Sequence, residues 1–339
     1  MNKIKANIIF GITVLLLGCA AKLPEIVATT VTEKTPHDTD DPAIWINKND
    51  PEASIVFGTD KDEINGGVYA FNLDGKIIKG KSITNISYPN NVDLEYGFKL
   101  NDSTSTDIIV FSEREKNQIR LFSVPDMIPL DDGGFKVFED ETTIEMKRPM
   151  GVALYKNPET GQISVFVSRK NGPTEGYLYQ YELVSDSLGV KVNLLRKIGN
   201  FSGQKEIEAI AVDDEAGFLY YSDEGVGIRK YHANPEKGDA EIVLFGSEHF
   251  KDDIEGIAIA KYHDRGYLIV SNQQAHTFNI FNLETHAFIK ELNLGTLETD
   301  GCDVTTTALG SKFPNGLFVS MNDEKNFFFH DLSKLKLIE

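Results

Sequence analysis

The sequence predicts an all-β fold of six consecutive sheets, and three observations carry that prediction. A phrase rich in acidic or polar residues runs into an alternating apolar stretch six times; a second apolar run follows each copy; a third run ends on a mostly aromatic residue. The opening phrases are Asp40-Asp41-Pro42-Ala43-Ile44-Trp45, Asn91-Val92-Asp93-Leu94-Glu95-Tyr96, Pro149-Met150-Gly151-Val152-Ala153-Leu154, Glu208-Ala209-Ile210-Ala211-Val212, Asp253-Ile254-Glu255-Gly256-Ile257-Ala258 and Asp300-Gly301-Cys302-Asp303-Val304. The anchors Phe71, Phe122, Tyr181, Tyr231, Phe281 and the weaker match His330 lie 51, 59, 50, 50 and 49 residues apart. A period near 50 residues built from short strands is the mark of a β-propeller with one four-stranded antiparallel blade per repeat. Six copies therefore predict six blades.

Each element follows from local chemistry. The first run of a repeat carries small and branched residues, such as Ala209-Ile210-Ala211 and Ile257-Ala258-Ile259, which suit the crowded innermost strand. The aromatic-anchored third run belongs further out. Asn72-Leu73-Asp74-Gly75, Asn65-Gly66-Gly67 and Asp213-Asp214-Glu215-Ala216-Gly217 carry turn chemistry. No stretch has helical periodicity. One blade cannot bury both faces of its sheet, so residues 31–339 are expected to form one domain. The sixth repeat runs short of chain for a fourth strand, and Ile26-Val27-Ala28-Thr29-Thr30-Val31 is expected to supply it, closing the ring and removing an open edge.

The N-terminus reads as a targeting segment. Lys3 and Lys5 precede an apolar core from Ile8 to Leu17, and Leu16-Leu17-Gly18-Cys19 matches a bacterial lipobox. Residues 1–18 are thus expected to be a signal peptide, and residues 19–30 a tether lipidated at Cys19 that leads into the closing strand. With Ala20 and Ala21 following and no Asp, the expected location is exported and lipid-anchored, at the outer membrane. The lipid is the expected membrane contact, and a monomer is the expected state. Cys302 is then the lone remaining cysteine, which excludes a disulfide framework and suits a buried structural thiol.

A formal charge of −18 with no Lys/Arg cluster argues against nucleic acid and for cation binding or solubility. Equivalent positions on different blades meet in space, so the residues opening the inner strands form a ring at the channel mouth. That ring holds Asp40, Asp41, Asp93, Glu208, Asp253, Glu255, Asp300 and Asp303. So many carboxylates repel one another unless hard cations neutralise them. Several Ca²⁺ ions fit an oxygen-only set, while the scattered histidines form no zinc pattern. Some of these acids are equally suited to bonding backbone amides at strand starts. A second recurring position, just past the second strand, carries Lys61, Arg114 and Lys170. Calcium facing Lys and Arg across one mouth is suited to phosphate.

In order and spacing, Asp38-Thr39-Asp40-Asp41-Pro42-Ala43-Ile44-Trp45, Asn90-Asn91-Val92-Asp93, Asp253-Ile254-Glu255-Gly256 and Thr299-Asp300-Gly301-Cys302-Asp303-Val304 resemble the β-propeller phytases over residues 35–327. The resemblance implies a calcium-dependent phosphoric monoester hydrolase that acts on myo-inositol hexakisphosphate (phytate), free or as its calcium complex. It implies that Asp40, Glu208, Glu224, Asp253, Glu255 and Asp303 are calcium-ligating and water-activating carboxylates, and that Lys61, Arg114 and Lys170 bind phosphate. The chain departs from the family at Met150, where a Tyr is usual, at Asp62, the second place of a Lys-Lys pair, and at Asn171. A calcium-dependent lactonase or esterase and a non-catalytic propeller that binds a phosphorylated ligand are the alternative readings.

Overall fold

A computed structural model of the chain describes residues 23–338, so the leader and Cys19 lie outside the described residues. Six four-stranded antiparallel sheets follow one another along the chain. Blade 1 is Asp38–Trp45, Ile55–Lys61, Gly66–Phe71 and Ile83–Ile86; blade 4 is Ile210–Asp213, Phe218–Asp223, Gly227–His232 and Val243–Phe245. The first strand of every blade contacts the first strand of the next, and that of blade 6, Cys302–Thr305, contacts Asp38–Trp45. The ring is closed.

The register shows why the period is readable. Phe71 pairs with Val56, Phe122 with Ile109, Tyr181 with Val165, Tyr231 with Leu219, Phe281 with Leu268 and His330 with Phe318. Each anchor thus stands at the same point of its blade, and all six are buried. They join clusters shared with the neighbouring blade: Phe71 packs among Leu309, Phe313 and Phe329, while Phe122 lies with Phe57 and Trp45. Burying one such side chain contributes about 1.5–3 kcal/mol, so the interfaces between blades, rather than single blades, hold the ring together.

His330 is the one anchor that is neither Phe nor Tyr. Burial pushes its imidazole down to about 4, and Nε2 lies 3.1 Å from the Ile26 carbonyl oxygen. Its exception coincides with the seam. Blade 6 takes its outermost strand from the N-terminus, as expected, with Thr30 opposite Phe329 and Val31 opposite Phe328. The strand is only Thr30–Val31, flanked by amide bonds from Thr29 to Phe329 and from Thr32 to Phe327. It is shorter than the sequence suggests because Ile26 turns away to bond the Asn293 carbonyl in blade 5. The one α-helix among the described residues is the single turn Ile144–Lys147.

Candidate functional site

In blades 1, 2 and 3 the inner strand is kinked near the mouth, whereas Glu208, Asp253 and Glu255 precede the inner strands Ile210–Asp213 and Ile257–Tyr262 of blades 4 and 5. Register shifts fall between Thr39 and Pro42, Pro89 and Val92, and Pro149 and Val152. A bulge re-aims the side chains that follow it. In these three blades the Ser or Thr near the end of the second run holds the kink by accepting from its backbone: Asp41 N to Thr59 Oγ1 at 2.9 Å, Asn90 N to Ser112 Oγ at 3.3 Å, and Gly151 N to Ser168 Oγ at 2.8 Å. Blade 5 repeats the contact from Glu255 N to Ser271 Oγ at 3.4 Å. Glycines then let neighbouring blades touch. A Cβ on Gly151 would stand 1.8 Å from the Glu208 carbonyl oxygen, and one on Gly256 would stand 2.5 Å from that of Asp300.

The predicted ring of carboxylates divides into two levels. Asp41, Asp93 and Asp303 line a cavity of about 150 Å³ inside the channel. They act as braces between blades. Asp303 accepts from Ile44 N at 2.7 Å, Asp41 from Val92 N at 3.0 Å and Asp93 from Leu154 N at 2.7 Å, tying blade 6 to 1, 1 to 2 and 2 to 3. The second oxygens of Asp93 and Asp303 accept from Leu94 N and Val304 N, so backbone amides engage both oxygens of each. Burial raises Asp93 to about 8 and Asp303 to about 6, and it outweighs those amides. The mouth-level groupings described below do not include these three.

The mouth itself is a cavity of about 330 Å³ that brings Lys61, Arg114 and Lys170 together with Glu208, Glu255 and Asp300. Asp40 lies just beneath, fully buried, accepting from Asn90 Nδ2 at 3.0 Å. Lys61 Nζ is 2.9 Å from Asp300, 3.2 Å from Asp40 and 3.7 Å from Asp38. Burial alone would lower its pKa, but the carboxylates of Asp40, Asp300, Glu208 and Asp38 together hold it well above the ordinary value. Lys170 Nζ bonds Glu206 Oε1 at 2.8 Å. Arg114 has no carboxylate partner among the described residues: its guanidinium stacks 4.1 Å over the Tyr88 ring, and Nη2 meets Met150 Sδ at 2.8 Å. Asp62 accepts from the amides of Ile64 and Asn65 in a turn.

Two carboxylate groupings stand at this mouth, Glu206, Glu208 and Glu224 in one and Glu224, Asp253 and Glu255 in the other, each with oxygens within 4.8 Å of one another. Burial, then the neighbouring charges, pushes Glu208 and Glu255 well above the usual carboxylate range and Glu224 up to about 10. Asp300 rises to about 7, chiefly through burial and against the pull of Lys61. Glu224 Oε1 is buried with no hydrogen-bond partner. Buried oxygens that repel one another, one of them unpartnered and none accompanied by His or Cys, fit a hard divalent cation such as calcium.

Glu206 and Asp38 are not among the residues the sequence assigns to the site, although a signal exists. Asp38-Thr39-Asp40, Glu206-Ile207-Glu208 and Asp253-Ile254-Glu255 each place acids two residues apart, on one face of extended chain. Tyr88, whose φ of 57° presents it beneath Arg114, carries no repeat signal at all. Cys302 is the buried structural thiol expected, with Sγ 3.8 Å from the Ile269 carbonyl oxygen.

Comparisons with known proteins agree with this geometry. A 3-phytase of Bacillus subtilis (strain 168) is 31% identical over 301 residues, which cover 84% of this chain and 74% of that protein. A chain in a crystal structure of the mitotic checkpoint complex superposes with a TM-score of 0.50 at 10% identity, covering 97% of this chain and 98% of that one, and shares the fold alone. The family model described as Phytase matches residues 19–328. A six-bladed propeller with phosphate-suited cations facing grouped carboxylates, matched by that model over most of its length, belongs to the phytase family and is a phytase-like hydrolase.

Proposed function

We propose that the chain is a calcium-dependent phosphatase that releases phosphate from myo-inositol hexakisphosphate by attack of water. One observation carries the reading: Lys61, Arg114 and Lys170 line the same cavity as the carboxylates of Glu206, Glu208 and Glu255. Glu206, Glu208, Glu224, Asp253 and Glu255 would hold the calcium ions. When bound, calcium would neutralise these acids and make water easier to deprotonate, to a smaller degree than zinc would.

The chain's own groups supply the rest. Lys61, fixed by Asp300 and Asp40, and Lys170 present ammonium groups to the phosphate oxygens as charge develops there. Arg114 offers a planar fork oriented by its stack on Tyr88. With the cation bound, Glu224 and Glu208 would be ionised, and either could accept the proton from water. Met150 Sδ can only accept and gives phosphate no donor, so the cationic donors lining the cavity are Lys61, Arg114 and Lys170. No covalent phospho-enzyme is required. The excess of acid at the mouth favours a substrate that arrives as its calcium complex.

The test is phosphate release from sodium phytate by the chain from residue 22 onward, with calcium and then with excess chelator. Chelator-sensitive release is expected; release that survives chelation would sink the calcium reading. Loss of activity in Lys61→Met separates this reading from a lactonase, which needs no phosphate-binding cations. We further propose export with lipid attachment at Cys19 to the outer membrane, supported by the lipobox. Cys19→Ser should move the protein into the soluble fraction, and an unchanged membrane fraction would refute it.

A further inference from the structure

Each of the two carboxylate groupings has one member held by a lysine. In the first, Lys170 Nζ lies 2.7–2.8 Å from the two oxygens of Glu206. In the second, Lys205 Nζ bonds an oxygen of Asp253 and, at 2.6 Å, one of Asp252. The two groupings share Glu224, so the lysines sit at opposite ends of one chain of acids. Neither is locked in place, since the side chains of Lys170 and Lys205 are 41% and 36% exposed. A lysine stem is flexible, and its ammonium is a compact point charge that moves readily between partners.

A divalent cation seeks the same oxygens as these ammonium groups. We propose that Lys170 and Lys205 are resident counter-ions that a divalent cation displaces from Glu206 and Asp253, and that the freed ammonium groups then bind the substrate phosphate. The inference rests on the calcium reading above and adds to it in two respects. Lys205, which no repeat position marks, becomes a fourth phosphate-binding cation. Glu206 becomes the residue through which cation and phosphate favour each other, because filling one site unlocks the group needed by the other. Such coupling is reciprocal by thermodynamic necessity.

The experiment is calorimetric titration of the intact chain, first with calcium alone and then, calcium-loaded, with methylphosphonate, which has no ester to hydrolyse. In Lys205→Met, calcium should bind roughly two- to fivefold tighter because a competitor is gone, whereas methylphosphonate should bind the loaded chain more weakly by a similar factor. Effects of opposite sign exclude general damage, which would weaken both. In Glu206→Gln, methylphosphonate should bind the metal-free chain roughly two- to fivefold tighter because Lys170 is released. Calcium affinity unchanged or weakened in Lys205→Met, phosphonate affinity unchanged in the loaded variant, or an unchanged Glu206→Gln each overturns the inference while leaving the calcium reading intact. A wild-type chain that takes up no calcium overturns the calcium reading itself, and this inference with it.

Discussion

Gly151→Ala tests the claim that the site is built where two blades touch. Gly151 opens the inner strand of blade 3, its amide bonded to Ser168 Oγ, and its missing side chain faces the backbone of Glu208 in blade 4. A Cβ there would stand 1.8 Å from the Glu208 carbonyl oxygen and 2.9 Å from its carbonyl carbon. Normal contact begins near 3.4 Å, so one strand must retreat by about 1.5 Å. The obstacle is backbone, which cannot swing aside as a side chain would. Overpacking of this kind costs about 1–3 kcal/mol, or ~2–5 °C in Tm for a chain of this length. The same displacement carries the Glu208 carboxylate with it, and misplacing a catalytic group by about 1 Å costs on the order of 10²-fold. The assay pairs thermal unfolding with kcat/KM for phytate release. The expected variant is folded, a few degrees less stable and about a hundredfold slower. Wild-type kcat/KM in a folded Gly151→Ala would refute the argument that this contact positions Glu208.

Three further outcomes follow from the same geometry. Met150→Tyr replaces a thioether, which only accepts, by a hydroxyl that can donate beside Arg114, and should raise kcat/KM severalfold; a fall without loss of stability would show that the Arg114–Met150 contact is itself required. Asp223→Ala leaves Arg229 without one of its two carboxylates and Ser202 without the acceptor of its amide and its hydroxyl, so chemical denaturation should show a loss of about 3 kcal/mol, and calcium binding should weaken because Ser202 begins the loop carrying Glu206; a loss below about 1 kcal/mol would show the network to be dispensable. The metal-free protein should lose stability as pH rises. Asp93 and Asp303 have folded values near 8 and 6 against 3.8 unfolded, so the folded state holds extra protons, a stabilisation fully present below about pH 4 and lost through pH 6 to 8. Tm measured in chelator at pH 5 should exceed that at pH 8, and a rise over that span would contradict the assignment.

The fold was legible because the repeat is enforced by register: an anchor that left its place opposite Val56 or Leu219 would lose its packing against the next blade, so the aromatic period survives in the sequence. The ring of acids was legible as a set but not as two levels. Asp93 looks like Asp40 along the chain; what separates them is the Leu154 amide of a neighbouring blade, a partner that no sequence position announces. The cations Lys61, Arg114 and Lys170 share a repeat position and a cavity. Their partners do not repeat, since Lys61 meets acids of blades 1 and 6 while Arg114 rests on a ring and a sulfur. Glu206 was hidden because its role depends on Lys170 reaching across from blade 3, although its two-residue spacing from Glu208 was a clue.

The two-residue strand that closes blade 6 also sets an order of events in the life of the chain. Thr30 pairs with Phe329, so the first part of the domain to emerge from any synthesis or export machinery is completed by nearly the last. Until Asn326–Asp331 arrives, blade 6 lacks its third strand, the His330 anchor is missing, and the cluster of Phe71 with Phe327 and Phe329 stays open. Until both ends of the domain are present, the seam between the first and last blades cannot close, so the ring is latched only by residues from opposite ends of the chain.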